Sequence, residues 1–151
     1  EKYVKYFSEC DEIWHAGDIG DIEIMDKLSQ ITKTRGVHGN IDNYKIRAEF
    51  PLHQKFIIEG VSVWITHIGG TPYRYKKSLQ NELLSKNTRL FICGHSHICK
   101  VQMDKNLNML YINPGAAGKK GIHKVRTILR FKIEKENIKD LEVIELGSKL
   151  S

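Results

Sequence analysis

Two histidines one residue apart, in Gly94-His95-Ser96-His97, directly follow the apolar run Leu90-Phe91-Ile92-Cys93. At the end of a buried strand both rings can turn into one crevice. Three further fragments carry compatible donors: His15-Ala16-Gly17-Asp18, Gly39-Asn40-Ile41-Asp42 and Thr66-His67. Together they offer a carboxylate, a carboxamide and three imidazoles. Such hard and borderline donors suit one or two divalent metals, and metals so held can serve phosphate-ester hydrolysis. Singly, each fragment has a plainer reading. Gly-Asp and Gly-Asn are common turns, and a lone strand-end histidine is more often hydrogen-bonded than ligating. Four such loops with matching chemistry point to a metal site.

Each candidate follows an apolar stretch that reads as a strand: Asp18 after Ile13-Trp14, Asn40 after Val37, His67 after Ile65 and His95 after Ile92. In sheets with a parallel portion, ligands gather beyond the carboxyl ends of the strands. The pattern predicts a helix at the start, from Tyr3, Val4 and Phe7, and a strand over Glu12-Ile13-Trp14-His15-Ala16. A second helix runs from an Asp21 cap to about Thr32, with Ile24, Leu28 and Ile31 on one face. Arg35-Gly36-Val37-His38 reads as a short strand. Phe56 to Ile58 and Val61 to Thr66 form a hairpin around Glu59-Gly60. Tyr75, Leu79 and Leu83 mark another helix. Val101 to Met103 pairs with Met109 to Ile112, and the alternating run from Val125 to Ile133 turns at Glu136-Asn137 into Leu141 to Leu146. Strand–helix units followed by hairpins imply two packed sheets with helices outside.

At 151 residues the chain is read as one domain, over 1–151. Its composition, 40% hydrophobic and 28% charged, is ordinary for a soluble globular protein. No run reaches the about 20 apolar residues of a membrane span and none has a signal-peptide layout, so a membrane role is not expected. Three cysteines, Cys10, Cys93 and Cys99, form no CxxC pair. That fits a reducing, cytoplasmic setting, with Cys93 packed in the core. A net charge of +6 favours anionic ligands in general, phosphate esters and nucleic acids among them. The clusters Arg74/Lys76/Lys77 and Lys119/Lys120/Lys124/Arg126 read as solvated surface.

The ordered fragments His15-Ala16-Gly17-Asp18, Gly39-Asn40-x-Asp42, Thr66-His67, Gly94-His95-Ser96-His97 and Asn113-Pro114-Gly115 resemble the successive motifs of the calcineurin-like metallophosphoesterases. The small single-domain bacterial and archaeal phosphodiesterase branch is the nearest match in pattern. The resemblance implies an α/β fold, a four-layer αββα sandwich of two mixed β-sheets flanked by helices. It implies a binuclear centre of Mn²⁺, Zn²⁺, Ni²⁺ or Fe. By resemblance, Asp18 is the carboxylate shared by both metals. Asn40, His67 and His95 complete the ligands of one metal, His97 belongs to the other, and Asn113 lies in a turn bordering the site. His15, Asp42 and His123 are expected to support the site or the fold, and His53 to lie on the surface. In such centres two metals about 4 Å apart bridge a hydroxide that attacks the phosphorus in line.

The sequence departs from that pattern in three places. The family's first motif, Asp-x-His, is absent, which implies that roughly 15 to 20 residues of the family domain, including its first strand, precede this chain. One metal then keeps four protein ligands and the other only two, so one is expected to bind well and the second weakly. Many members carry a proton-donating histidine where Ile41 stands, so leaving groups that need little protonation should be favoured. Ile68 replaces a usual glycine after His67.

The main functional expectation is a metal-dependent phosphodiesterase acting on phosphate esters. The alternative is a non-catalytic protein-binding module, the role of the retromer subunit with this fold, which the missing motif and Ile41 would suit. A nuclease has only the basic balance behind it, with no aromatic–basic stacking patch.

Overall fold

The computed structural model describes residues 3–85 and 87–150. Among these residues four helices, α1 (Val4–Phe7), α2 (Ile22–Ser29), α3 (Tyr44–Glu49) and α4 (Gln80–Ser85), accompany eleven strands. The strands are β1 (Glu12–His15), β2 (Lys33–Gly36), β3 (His53–Ile58), β4 (Val61–Thr66), β5 (Gly70–Thr71), β6 (Arg74–Tyr75), β7 (Leu90–Ile92), β8 (Cys99–Asp104), β9 (Met109–Pro114), β10 (Val125–Glu134) and β11 (Asn137–Ser148).

A five-stranded mixed sheet, ordered β3-β4-β7-β9-β8, forms the centre. Its three middle strands are parallel, with Ile65 beside Ile92 and Ile92 beside Ile112. Alternation splits their side chains between two cores. Trp64, Phe91 and Tyr111 face outward, where Leu79 and Leu83 cover them. Val63, Ile65, Leu90, Ile92 and Ile112 face inward against Trp14, Leu129 and Phe131. A middle strand covered on both sides reads as a continuous apolar run, and five of the six residues of β4 are buried.

The second layer holds β1 and β2 in parallel and the β10-β11 hairpin. Outside it, Met25 of α2 and Ile46 of α3 form a third cluster with Ile19, flanked by Phe50. The order of layers is thus helix, sheet, sheet, helix. The expected second mixed sheet is, however, two separate ladders. Trp14 and Phe131 meet edge-on at 5.7 Å, so β1 and β10 join through side chains rather than ladder bonds.

Several local expectations shift. Helix α2 ends at Ser29, and Met25, not Ile24, turns inward; Ile24 is exposed. The strand expected at Arg35–His38 lies at Lys33–Gly36. Tyr75 belongs to a strand pair, and only Leu79, in a 3-10 turn, and Leu83 follow the helical spacing. Tyr75 donates its hydroxyl to Asp104 Oδ2 at 2.6 Å, which fixes it in the ladder. No helix among the described residues is long and apolar enough to cross a membrane.

Glu12 anchors the start of the β1-β2 ladder. Burial alone would raise its carboxyl, but the Arg35 guanidinium, the Trp14 indole N–H and Lys33 outweigh it and hold the pKa at about 2. A depressed carboxyl stabilises the fold fully above its unfolded value near 4.5 and loses that contribution as pH falls toward about 2. We expect Glu12→Gln to lower stability at pH 7 by about 2 kcal/mol, after discounting for solvent screening. The difference from wild type should shrink below about pH 4, as urea unfolding at a series of pH values would show.

Candidate metal centre

The parallel strands deliver the candidate residues to one pole. His67 follows β4, Gly94 and His95 follow β7, and Asn113 lies in β9. Asp18 and Asn40 arrive from the loops after β1 and β2 in the other layer. Asp18, His95 and the neighbouring His97 have left-handed backbones, with φ of 55°, 67° and 61°. Asp and His enter that region more readily than most residues. Its cost, on the order of 1–3 kcal/mol each, is typical of residues turned into a site by their surroundings.

His67 is buried, and its Nδ1 lies 2.8 Å from the Ala16 carbonyl oxygen. A carbonyl only accepts, so in the neutral ring Nδ1 carries the proton and Nε2 presents a lone pair. That lone pair faces Asn40 Oδ1 at 3.0 Å and Asp18 Oδ2 at 3.2 Å. Asn40 Oδ1 is also 3.1 Å from His95 Nδ1. Donor atoms of Asp18, His67 and His95 all lie within 4.8 Å of one another. Two donors about 2.1 Å from one ion stand roughly 3.0 to 3.4 Å apart, so the spacing suits a shared cation. One proton can satisfy only a single pair in this group, whereas a divalent ion satisfies the whole set.

Asp42 holds the two loops of the outer layer together. Its carboxylate accepts from the N–H groups of Gly39 at 2.7 Å, Gly20 at 2.8 Å and Ile19 at 3.0 Å. Burial would raise this carboxyl, but the three N–H groups prevail and hold it below its ordinary value. Close approach is essential here. A Cβ on Gly39 would sit 2.0 Å from Asp18 Oδ1. The Ile41 N–H donates to the same oxygen at 3.3 Å, while the Ile41 side chain is 64% exposed and offers no proton. His15 accepts from the Gly17 N–H through Nδ1 at 3.2 Å. Burial lowers His15 to about 4, which keeps it neutral at pH 7. Asn113 donates to the Gly94 carbonyl at 2.9 Å and to Ser96 Oγ at 3.0 Å, bracing the turn that carries His95 and His97.

The sequence-derived set is therefore divided. Asp18, Asn40, His67 and His95 converge. His97 instead contacts His123, Nδ1 to Nδ1, at 3.2 Å. His15, Asp42 and Asn113 support the loops through hydrogen bonds.

Sequence reasoning missed Arg47 of α3, which donates to the carbonyls of Asp42 at 2.7 Å, Asn40 at 3.2 Å and Gly39 at 3.3 Å. The Asn43 cap, whose side chain accepts from the Ile46 N–H, was the available signal for that helix. A recess of about 230 Å³ beside the donors is lined by Asn40, His67, His38, Arg47, His53 and Lys76, among others, and by no carboxylate. Lys76, exposed as expected, and His53 both border this recess. His53 is half-buried and accepts from the Trp64 indole N–H at 3.2 Å.

The convergent donor set at the strand ends of this αββα sandwich suits a divalent cation, and comparison with known proteins gives the family. Residues 1–136 match the calcineurin-like phosphoesterase superfamily domain, and the chain belongs to that family. A probable metallophosphoesterase of Methanocaldococcus jannaschii is 31% identical over 112 residues, 73% of this chain. The chain spans 55% of that relative's length. Among solved structures, an archaeal phosphodiesterase superposes with a TM-score of 0.74 at 19% identity, covering 96% of this chain and 90% of its own. Wild-type Vps29 of Entamoeba histolytica, solved in complex with Zn²⁺, superposes with a TM-score of 0.72 at 13% identity, covering 95% and 87% respectively. At these identities the structural likeness is one of fold.

Proposed function

We propose that this chain is a metal-dependent phosphodiesterase in which Asp18, Asn40, His67 and His95 hold one divalent transition metal and Asp18 and His97 contribute to a second. The observation that carries this reading is the convergence of the His67 Nε2 lone pair with Asn40 Oδ1 and Asp18 Oδ2. Metals held there would supply charge to polarise phosphoryl oxygens and to acidify water. The chain's own residues do the rest. The Ala16 carbonyl sets the His67 tautomer, the Ile41 N–H orients Asp18, and Arg47 pins the Asn40 loop. Lys76 and Arg47, with no carboxylate among the recess-lining residues, favour entry of a phosphate ester beside the donors.

The test is hydrolysis of bis-p-nitrophenyl phosphate with Mn²⁺ or Zn²⁺ added. Turnover should depend on the metal and stop with a chelator. Because Ile41 offers no proton, an alkyl phosphodiester should react at least about 100-fold more slowly than the nitrophenyl ester. A non-catalytic binding role is the second reading, favoured by that same exposed Ile41. Tight metal binding without any turnover would select it.

A further inference from the structure

We infer that His123 is a positioning residue for His97, fixing its tautomer so that His97 Nε2 is presented as a free lone pair. The inference deepens the proposed function, since it rests on reading His97 as a metal ligand.

His123 is buried at 8% exposure in the loop between β9 and β10. Its Nε2 lies 2.8 Å from the Gly118 carbonyl oxygen. The carbonyl can only accept, so a neutral His123 ring keeps its proton on Nε2 and has a lone pair on Nδ1. That Nδ1 is 3.2 Å from Nδ1 of His97, with the rings nearly edge-on at 5.1 Å between centroids. Two lone pairs at this distance would repel. A hydrogen bond forms only if His97 Nδ1 carries a proton, and a neutral imidazole has just one. The His97 Nε2 is therefore bare. The arrangement parallels that of His67, whose Nδ1 is matched to the Ala16 carbonyl and whose Nε2 is free. In both cases the outer partner decides which nitrogen can ligate.

The loop is built closely around this pair. Gly121 has φ of 127°, and a Cβ there would sit 2.1 Å from His97 Nδ1 and 3.1 Å from His123 Nδ1. The Gly121 carbonyl accepts from Lys149 Nζ at 2.6 Å, and the Ala116 carbonyl from the Thr127 N–H at 2.9 Å. Both ends of the loop are thus tied to the β10-β11 hairpin.

The experiment reads ring tautomers by two-bond ¹H–¹⁵N correlation on ¹⁵N-histidine-labelled, metal-free protein at a pH where the rings are neutral. His97 is expected as the Nδ1–H form and His123 as the Nε2–H form. His123→Asn keeps an accepting oxygen close to the place of Nδ1, and His123→Leu removes it. In the Leu variant His97 should become a mixture of tautomers, and Zn²⁺ affinity at the His97 position should fall about 10- to 100-fold. The Asn variant should recover most of both. His67 serves as the internal control of folding, because its Nδ1–H form should persist in every variant. Finding His97 as Nε2–H in the wild type would overturn the inference, even if the Leu variant failed to fold. Unchanged His97 in a folded Leu variant would overturn it as well. The tautomer reading needs neither metal nor turnover, so failure of the phosphodiesterase assay would leave it standing.

Discussion

Asp42→Ala should lose about 3 kcal/mol of unfolding free energy. The carboxylate accepts three backbone N–H groups, two of them in buried bonds. Alanine supplies no acceptor, and an unsatisfied buried donor costs about 1–3 kcal/mol. Against a typical domain stability of about 5–15 kcal/mol, that is a large share. The loss also reaches the site, because the same three bonds register the Asp18 loop on the Asn40 loop. Urea unfolding should show a lower midpoint with an unchanged slope. A loss below about 1 kcal/mol would mean that water replaces the carboxylate and that Asp42 does not brace the site.

Asp18→Asn should leave the fold intact and remove function. Asparagine tolerates the φ of 55° at this position and still offers an oxygen to the Ile41 N–H. It lacks the negative charge and the second accepting oxygen that faces His67. Changes to outer partners of a metal ligand typically cost 10–100-fold in affinity or activity. A ligand shared between two metals should exceed the upper end, so we expect losses of at least about 100-fold in Zn²⁺ affinity and in turnover of bis-p-nitrophenyl phosphate. The unfolding midpoint should move by less than about 0.5 kcal/mol equivalent. A variant that binds Zn²⁺ as the wild type does would exclude Asp18 from the ligand set.

Asp18, His67 and His95 were legible in the sequence because their loops follow apolar strands. Asn40 follows β2, Lys33–Gly36, and was found through the apolar Val37 beyond that strand's end. Parallel pairing within each layer brings the strand ends to one pole. The β4 run and the three hairpins were legible for a related reason. Alternation and turn residues are local signals, and local signals suffice for neighbouring strands. The pairing of His97 with His123 was not legible, since it joins residues on separate loops and depends on how the Gly118–Gly121 backbone closes. Nor was the split second layer, which depends on which strand edges meet. Tyr75 misled because its spacing to Leu79 and Leu83 is helical, while its hydroxyl is committed to Asp104. Lys76 has the same sequence signature as any solvated lysine. Only the fold places it on the same recess as Asn40 and His67.

The central claim is that the convergent lone pairs of Asp18, Asn40, His67 and His95 exist to hold a divalent ion. Calorimetric titration of the wild type and of Asp18→Asn with Zn²⁺ measures it most directly. We predict at least one tightly held ion per chain in the wild type, bound at least about 100-fold more weakly by Asp18→Asn. Binding to the wild type no tighter than to Asp18→Asn would contradict the account.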